Sequence, residues 1–382
     1  MPTHQLQNRN EAEDLIRGLT LLGTGGGGRP EAGRESLARM FEQNKSLGWT
    51  DASELPDEGY ACAVFSVGST APRAADFIEG QNVPGYGTRA QGTAMPRAVH
   101  ELEAYTGKKI TTIFPIELGA NNTATPMSAA AALGLQLIDG DASGRAVPEA
   151  SQVTPAMQQQ AFCPAAIADE WGNVLVLKHA TGLDVAEAIA KAMSVVTKTP
   201  DTYAICAVAA YLMPVAEMKR AVILGTISRS FAVGKLIREA RERGDNPVAA
   251  SAKFLNGAVL FKGTISKREW ESKGGYQIGT TDLAGTDEFA GHAFRIWFKN
   301  EHHITWRDGA PFVTSPDLIA VVAADTGEPI TNTYLAEGMR VAVIGAPGDP
   351  AFRTSVGIAT LGPRHFGFDW EYQPIETCGV LV

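Results

Sequence analysis

Three stretches set the tightest limit on the fold. "YACAVFSVGS" (60–69), "KITTIFPIEL" (109–118) and "GLQLIDGD" (134–141) are apolar or β-branched runs that end in glycine or polar clusters. Between them lie two stretches of helical pattern, "AMPRAVHELEAYTG" and "NTATPMSAAAALG". Strand, helix, strand, helix, strand in that order predicts a parallel sheet with right-handed crossovers, so the first part of the chain reads as an α/β domain.

At 382 residues the chain is longer than one typical core and suits two domains, placed here at 1–165 and 166–382. The second opens with "AAIADEWGNVLVLKHA", a hairpin turned at Gly172-Asn173, and continues through a helical segment over 184–243. Its later helix, expected over 217–243, sets Ile223, Ile227, Phe231 and Leu236 on one side, with Gly225 and Gly234 allowing close packing. From 254 to 382 the chain is β-rich: "GAVLFKGTIS", "HAFRIWFKNEHHITW", "DLIAVVAAD" and "MRVAVIGAP" predict a barrel or sandwich.

Charge narrows the function classes. The net charge is -9, and the 33 lysines and arginines form no run of five, which argues against nucleic acid and against anionic lipid. The longest apolar run, "AICAVAAYLMPVA" (204–216), is too short to span a bilayer and contains Pro214. The start, "MPTHQLQNRNEAEDL", lacks a basic segment followed by an apolar one, so the cytoplasm is the expected compartment. Cys62, Cys163, Cys206 and Cys378 form no C-x-x-C pair and read as ordinary thiols, with Cys163 and Cys206, which lack an adjacent histidine, read as buried and inert.

Five glycines fall within six residues in "LLGTGGGGRP" (21–30), and Gly23, Gly25 and Gly28 satisfy G-x-G-x-x-G. A dinucleotide fingerprint needs a strand before the glycines, but residues 11–22 have helical periodicity. A phosphate loop needs Lys and Ser or Thr where Arg29 and Pro30 stand. Two readings survive. Backbone amides of Gly25, Gly26 and Gly27 bind an anion such as a carboxylate beside the helix that starts at Pro30, or the glycines serve a helix-to-helix reversal through positive φ.

Ligands of open parallel sheets bind beyond the carboxyl ends of the strands, and those positions here are polar. Glu117, Asn121 and Asn122 follow the second strand; Asp139, Asp141, Arg145 and Glu149 follow the third. Carboxylates crowded in a dry crevice acquire raised pKa values and exchange protons near neutral pH, the equipment of a hydrolase, while Arg145 can orient a planar carboxylate. The alternative for Asp139 and Asp141 is helix capping and turn formation around Gly140 and Gly144. "DGDASGRAVPE" does not follow a calcium loop and there is no H-E-x-x-H, so no cofactor is predicted and a divalent metal lacks support. Strand alternation points one of His302 and His303 inward and one outward, and His365 in "GPRHFGFDW" is a candidate binding residue held by Arg364 and Asp369.

"LLGTGGGG", "IELGANN", "IDGDASGRAVPE", "LGTISRSFAVGKLI", "FKNEHHI", "PDLIAVVAADTGEPIT", "GMRVAVIGAP" and "GPRHFGFDWEY" stand in the order of one family's blocks. The chain resembles the S-methyl thiohydantoin desulfurase family, often found beside hydantoinase and oxoprolinase genes, from about Leu15 to Tyr372. One departure is Ala142-Ser143, where relatives often carry Gly-Met. The resemblance implies an α/β domain joined to a β-rich one, and hydrolysis of a hydantoin-like ring in which water displaces methanethiol. The family supplies no residue roles, but for such a reaction the local chemistry makes Asp139 or Asp141 the base, Glu117 or Glu149 the acid, Asn121 the holder of the ring amide, and Arg145 or the glycine loop the anchor of a carboxylate tail. Two other activities fit: a hydrolase or isomerase of a related cyclic amide, and a non-catalytic hydantoin-binding partner of a hydantoinase-type enzyme. A homodimer is the expected assembly. All of this requires Glu117, Asn121, Asp141 and Arg145 to face one hollow beside the glycines.

Overall fold

The computed structural model describes residues 2–68, 90–196 and 205–379. The expected strand end at Ser69 and the start of the apolar run at Ala204 lie outside the described residues. A short ribbon, β1 (His4–Gln5) with β2 (Gly48–Trp49), flanks the two helices that the glycine loop joins as expected. Asn8 caps α1 (Arg9–Leu22) by accepting from Glu11 N at 3.0 Å, and Pro30 occupies the first position of α2 (Pro30–Glu42).

β3 (Tyr60–Gly68), α3 (Ala94–Thr106), β4 (Ile110–Pro115), α4 (Ala120–Leu133) and β5 (Gln136–Leu137) follow the order read from the sequence, and the three strands are parallel. β6 (Gly140–Asp141) leaves that sheet, and the single turn α5 (Thr154–Met157) leads to β7 (Ala165–Ala168) and β8 (Val174–Leu177), the hairpin around Gly172-Asn173. After α6 (Leu183–Val196) comes β9 (Ile205–Pro214), which inserts between β3 and β7 and runs antiparallel to both. The sheet, ordered β5-β4-β3-β9-β7-β8, is therefore mixed rather than parallel. β9 is apolar on both sides because the sheet is covered on both: Ala207 and Ala209 face the α3 and α4 layer, while Val208 and Ala210 face α6.

The helix expected over 217–243 is two, α7 (Val215–Ala221) and α8 (Thr226–Arg243), separated by β10 (Ile223–Leu224). β10 pairs antiparallel with β6, and Asp139 Oδ1 accepts from Ile227 N and Ser228 N at 3.0 Å each, which starts the new helix. Ile223 thus belongs to a strand, and Gly225 acts as a turn with φ +78 and open space around it. Gly234 does permit close packing. A Cβ there would lie 1.8 Å from Asp14 O, just as one on Gly18 would meet Ser230 O at 1.6 Å, so α1 and α8 cross backbone to backbone.

Beyond α9 (Pro247–Phe254) come β11 (Ala258–Lys273), β12 (Tyr276–Gly285), β13 (Ala293–Lys299), β14 (Glu301–Arg307), β15 (Ala310–Thr314), β16 (Leu318–Ala323) and β17 (Arg340–Ala346). They form an antiparallel sheet ordered β15-β14-β13-β12-β11-β17-β16 that curls until β16 packs against β14, a half-barrel. Ile319, Val321, Val341 and Val343 fill the inside of the curl with Phe261 and Phe294. The alternate residues Leu318, Ala320, Val322 and Ile344 share a core with Leu15 and Leu19 of α1, which joins the two domains. α10 (Ser355–Leu361) and short 3₁₀ turns end the described residues. Among the described residues no helix is long and apolar enough to cross a membrane.

Candidate functional site

The glycine loop is clamped from two sides. On one flank Asn121 N and Asn122 N, at the start of α4, donate to Gly27 O at 3.2 Å each. On the other, His302 N donates to Thr24 O and Asn332 N to Gly25 O, both at 2.8 Å. No side chain fits between. A Cβ on Gly26 would lie 1.7 Å from Glu301 Oε1, one on Gly27 would lie 2.5 Å from Gly119 Cα, and one on Gly28 would lie 2.6 Å from Asn121 Cβ. Gly25, Gly27 and Gly28 also have φ of +99, +76 and +81. The run of glycines is explained by this seam between the α/β layer and the half-barrel.

Beside the loop, beyond the carboxyl ends of β3 and β4, lies a cavity of about 210 Å³. Phe65, Ile116, Val147, Val153, Phe162 and Val208 make its apolar wall; Glu117, Asn121, Glu149, Glu301 and the glycines supply polar groups. The core of this floor is a pair of buried carboxyls. Glu117 Oε2 accepts from Val147 N at 2.7 Å and its Oε1 from Asn122 Nδ2. Burial, opposed by those two donors, pushes Glu117 up to about 7. Glu301 is raised well above the ordinary carboxyl range by burial and by the charge of Glu117, and its Oε2 has no hydrogen-bond partner. Donors on both oxygens favour the ionised form of Glu117; an unpartnered buried oxygen favours the protonated form of Glu301. Together they offer one base and one acid near neutral pH.

Glu149 differs. Burial would raise it, but hydrogen bonds from His365 and Lys299 outweigh that and hold it down at about 2. His365 Nε2 lies 2.9 Å from Glu149 Oε2, so it touches the cavity through Glu149, while Arg364 turns away to Glu371 at 2.9 Å and Asp369 at 3.7 Å. An ionised Glu149 cannot serve as the general acid at neutral pH.

The single hollow expected for Glu117, Asn121, Asp141 and Arg145 gathers the first two and excludes the others. Asp141 is buried in its own turn, where Oδ2 accepts from Ser143 N and Gly144 N at 2.9 Å each, and burial pushes it up to about 7. Asp139 caps α8, as described. Arg145 lies under the seam: its guanidinium donates to Ala146 O, Asp317 O, Thr24 Oγ1 and His302 O within 3.2 Å, with Pro316 O at 3.5 Å. A guanidinium so engaged has no fork left for a substrate carboxylate. His302 and His303 are both buried, because a covering layer lies on each face of the curled sheet. His302 bonds Ile319 O and Asn332 Oδ1 at 2.9 Å each, and His303 lies against the Phe366 ring, tilted by 32° with ring centroids 4.1 Å apart. Burial pushes the Cys206 thiol up to about 12 and raises Cys163, which suits inert thiols.

Glu301 and Tyr211 are among the cavity residues that the sequence reading missed. The one signal for Glu301 was a carboxylate at the head of a strand, directly after the turn-forming Asn300. Among the described residues no three His, Cys, Asp or Glu side chains stand together to hold a metal ion.

The crystal structure of a protein from Chromobacterium violaceum superimposes with a TM-score of 0.77 at 21% identity, covering 98% of this chain and 100% of that one, which establishes a shared fold. No curated protein matches the sequence. Residues 10–179 match the description "S-Me-THD-like, N-terminal domain", and residues 182–375 match "S-Me-THD-like, C-terminal domain". The two stretches meet at the end of the β7–β8 hairpin and take in both walls of the glycine seam, and the chain belongs to the S-Me-THD-like family.

Proposed function

We propose that this protein hydrolyses the C–S bond of an S-methyl thiohydantoin-like ring, with Glu301 as acid and Glu117 as base. Family membership supports the hydantoin-like substrate class. The observation that carries the chemistry is the pairing of two buried carboxyls of opposite preferred protonation at the floor of a small cavity with an aromatic wall. A volume of about 210 Å³ suits a small ring.

The steps balance. The carboxyl of Glu301 protonates the ring nitrogen of the C=N bond, while Glu117 takes a proton from water as the water oxygen bonds to the carbon bearing sulfur. The tetrahedral carbon then expels the methylthio group, which takes its proton from Glu117. The new hydroxyl returns its proton to Glu301 as it becomes a carbonyl. Hydantoin and methanethiol leave, and both carboxyls regain their starting states. Asn121, on the cavity rim, holds the amide edge of the ring.

The test is purified protein with a panel of hydantoins and S-methyl thiohydantoins, with and without chelator, following thiol release and ring absorbance. Wild type should release thiol, and Glu301→Gln should lower turnover by roughly 10²–10⁴-fold with an almost unchanged melting temperature. A fully active Glu301→Gln would remove the acid assignment, and ligand-induced stabilisation without product would favour a binding protein.

A further inference from the structure

β9 breaks its pairing within the cavity wall. It matches β3 as Ala63 with Ala210 on one side and Ala61 with Met213 on the other, so two residues, Tyr211 and Leu212, stand opposite Cys62 alone. This is a β-bulge, a device that re-aims a side chain. Tyr211 has φ +50, a region that bulky side chains rarely occupy. The position is fixed from outside: Tyr211 N donates to Phe162 O at 3.2 Å, and the two rings meet edge to face with centroids 5.2 Å apart.

The result serves the fold poorly. Tyr211 is 1% exposed, its hydroxyl has no hydrogen-bond partner, and phenylalanine would fill the same wall without that loss. Tyr211 lines the same cavity as Glu117 and Glu301. A strained backbone that holds an unpaired donor at a cavity is accounted for by an occupant that completes the bond.

We propose that Tyr211 is the positioning residue for the ring, its hydroxyl donating to a ring carbonyl oxygen while Phe162 and Phe65 flank the ring plane. Burial raises the phenol pKa, so the group acts as a donor and not as a base. The inference rests on the hydantoin-like reading and specifies its substrate: a planar ring with a carbonyl acceptor, whose nitrogen edge is turned toward the carboxyl pair.

The test compares wild type with Tyr211→Phe, using calorimetric affinity for hydantoin, KM and kcat for S-methyl thiohydantoin, and melting temperature. A second ligand, the 2-methylthio imidazoline without the ring carbonyl, closes a double-mutant cycle. Tyr211→Phe should melt at the same temperature or higher, weaken hydantoin binding and raise KM about tenfold, change kcat less, and leave imidazoline affinity as in wild type. Equal hydantoin affinities for the two proteins, or an equal loss for both ligands, would overturn the role of Tyr211. Binding by wild type without thiol release would overturn the desulfurase reading alone, and no binding by wild type would overturn both.

Discussion

Replacing Glu117 by Gln isolates the titration of one buried carboxyl. Burial lifts Glu117 from 4.5 to about 7 against the pull of Val147 N and Asn122. Between those values the folded chain keeps a proton that the unfolded chain has released, so stability falls as pH rises. Its contribution is fully present below the unfolded pKa and gone above the folded one. At about 1.4 kcal/mol per unit, the loss across this window is roughly 3 kcal/mol. Gln does not titrate. The fixed cost of re-forming the bonds to Val147 and Asn122 as an amide is the same at every pH and cancels in a difference. Relief of Glu301, whose carboxyl is raised partly by Glu117, acts in the same direction. Urea unfolding at about pH 5 and about pH 8 should therefore show the variant gaining roughly 2–3 kcal/mol on wild type between the two conditions. A gap independent of pH would mean that Glu117 titrates as an ordinary surface group, and the acid–base pair would lose its footing.

Glu149 should behave in the opposite sense. Held at about 2, it stabilises the fold above the unfolded carboxyl pKa, so Glu149→Gln should be less stable than wild type at neutral pH, and the gap should close only as pH falls from that unfolded value toward about 2; urea midpoints across pH would show otherwise if the ion pair with Lys299 contributes nothing. Gly26→Ala should impair turnover on substrates with and without a carboxylate tail alike, because its Cβ would collide with Glu301 Oε1 at 1.7 Å. Steady-state kinetics showing loss only for tailed substrates would restore an anion-binding role to the loop.

The helix–glycine–helix connection, the three parallel strands and the hairpin at Gly172-Asn173 were legible because each is set by local pattern. β9 was visible as an apolar run, but its antiparallel place between β3 and β7 depends on partners far along the chain. The break at Val222–Gly225 was hidden for the same reason: helical periodicity continues across it, and only pairing with Gly140 and Asp141 reveals a strand. For the site, strand-end logic found Glu117, Asn121 and Glu149, which line the cavity. It also chose Asp141 and Arg145, since a charged residue after a strand reads the same whether it meets solvent or is sealed away, Asp141 by the amides of its own turn and Arg145 by the carbonyls of Asp317 and His302 from the other domain. Tyr211 escaped because its bulge is a fact of register.

The clamped loop also bears on how such a gene can diverge. Gly27 is gripped by the start of α4, Gly25 by Asn332, and Arg145 ties the underside to the half-barrel. Neither half owns the chamber, so swapping one half for that of a distant relative would leave mismatched jaws around the same five glycines. Drift on either flank must be answered on the other, which binds the two halves into a single heritable unit.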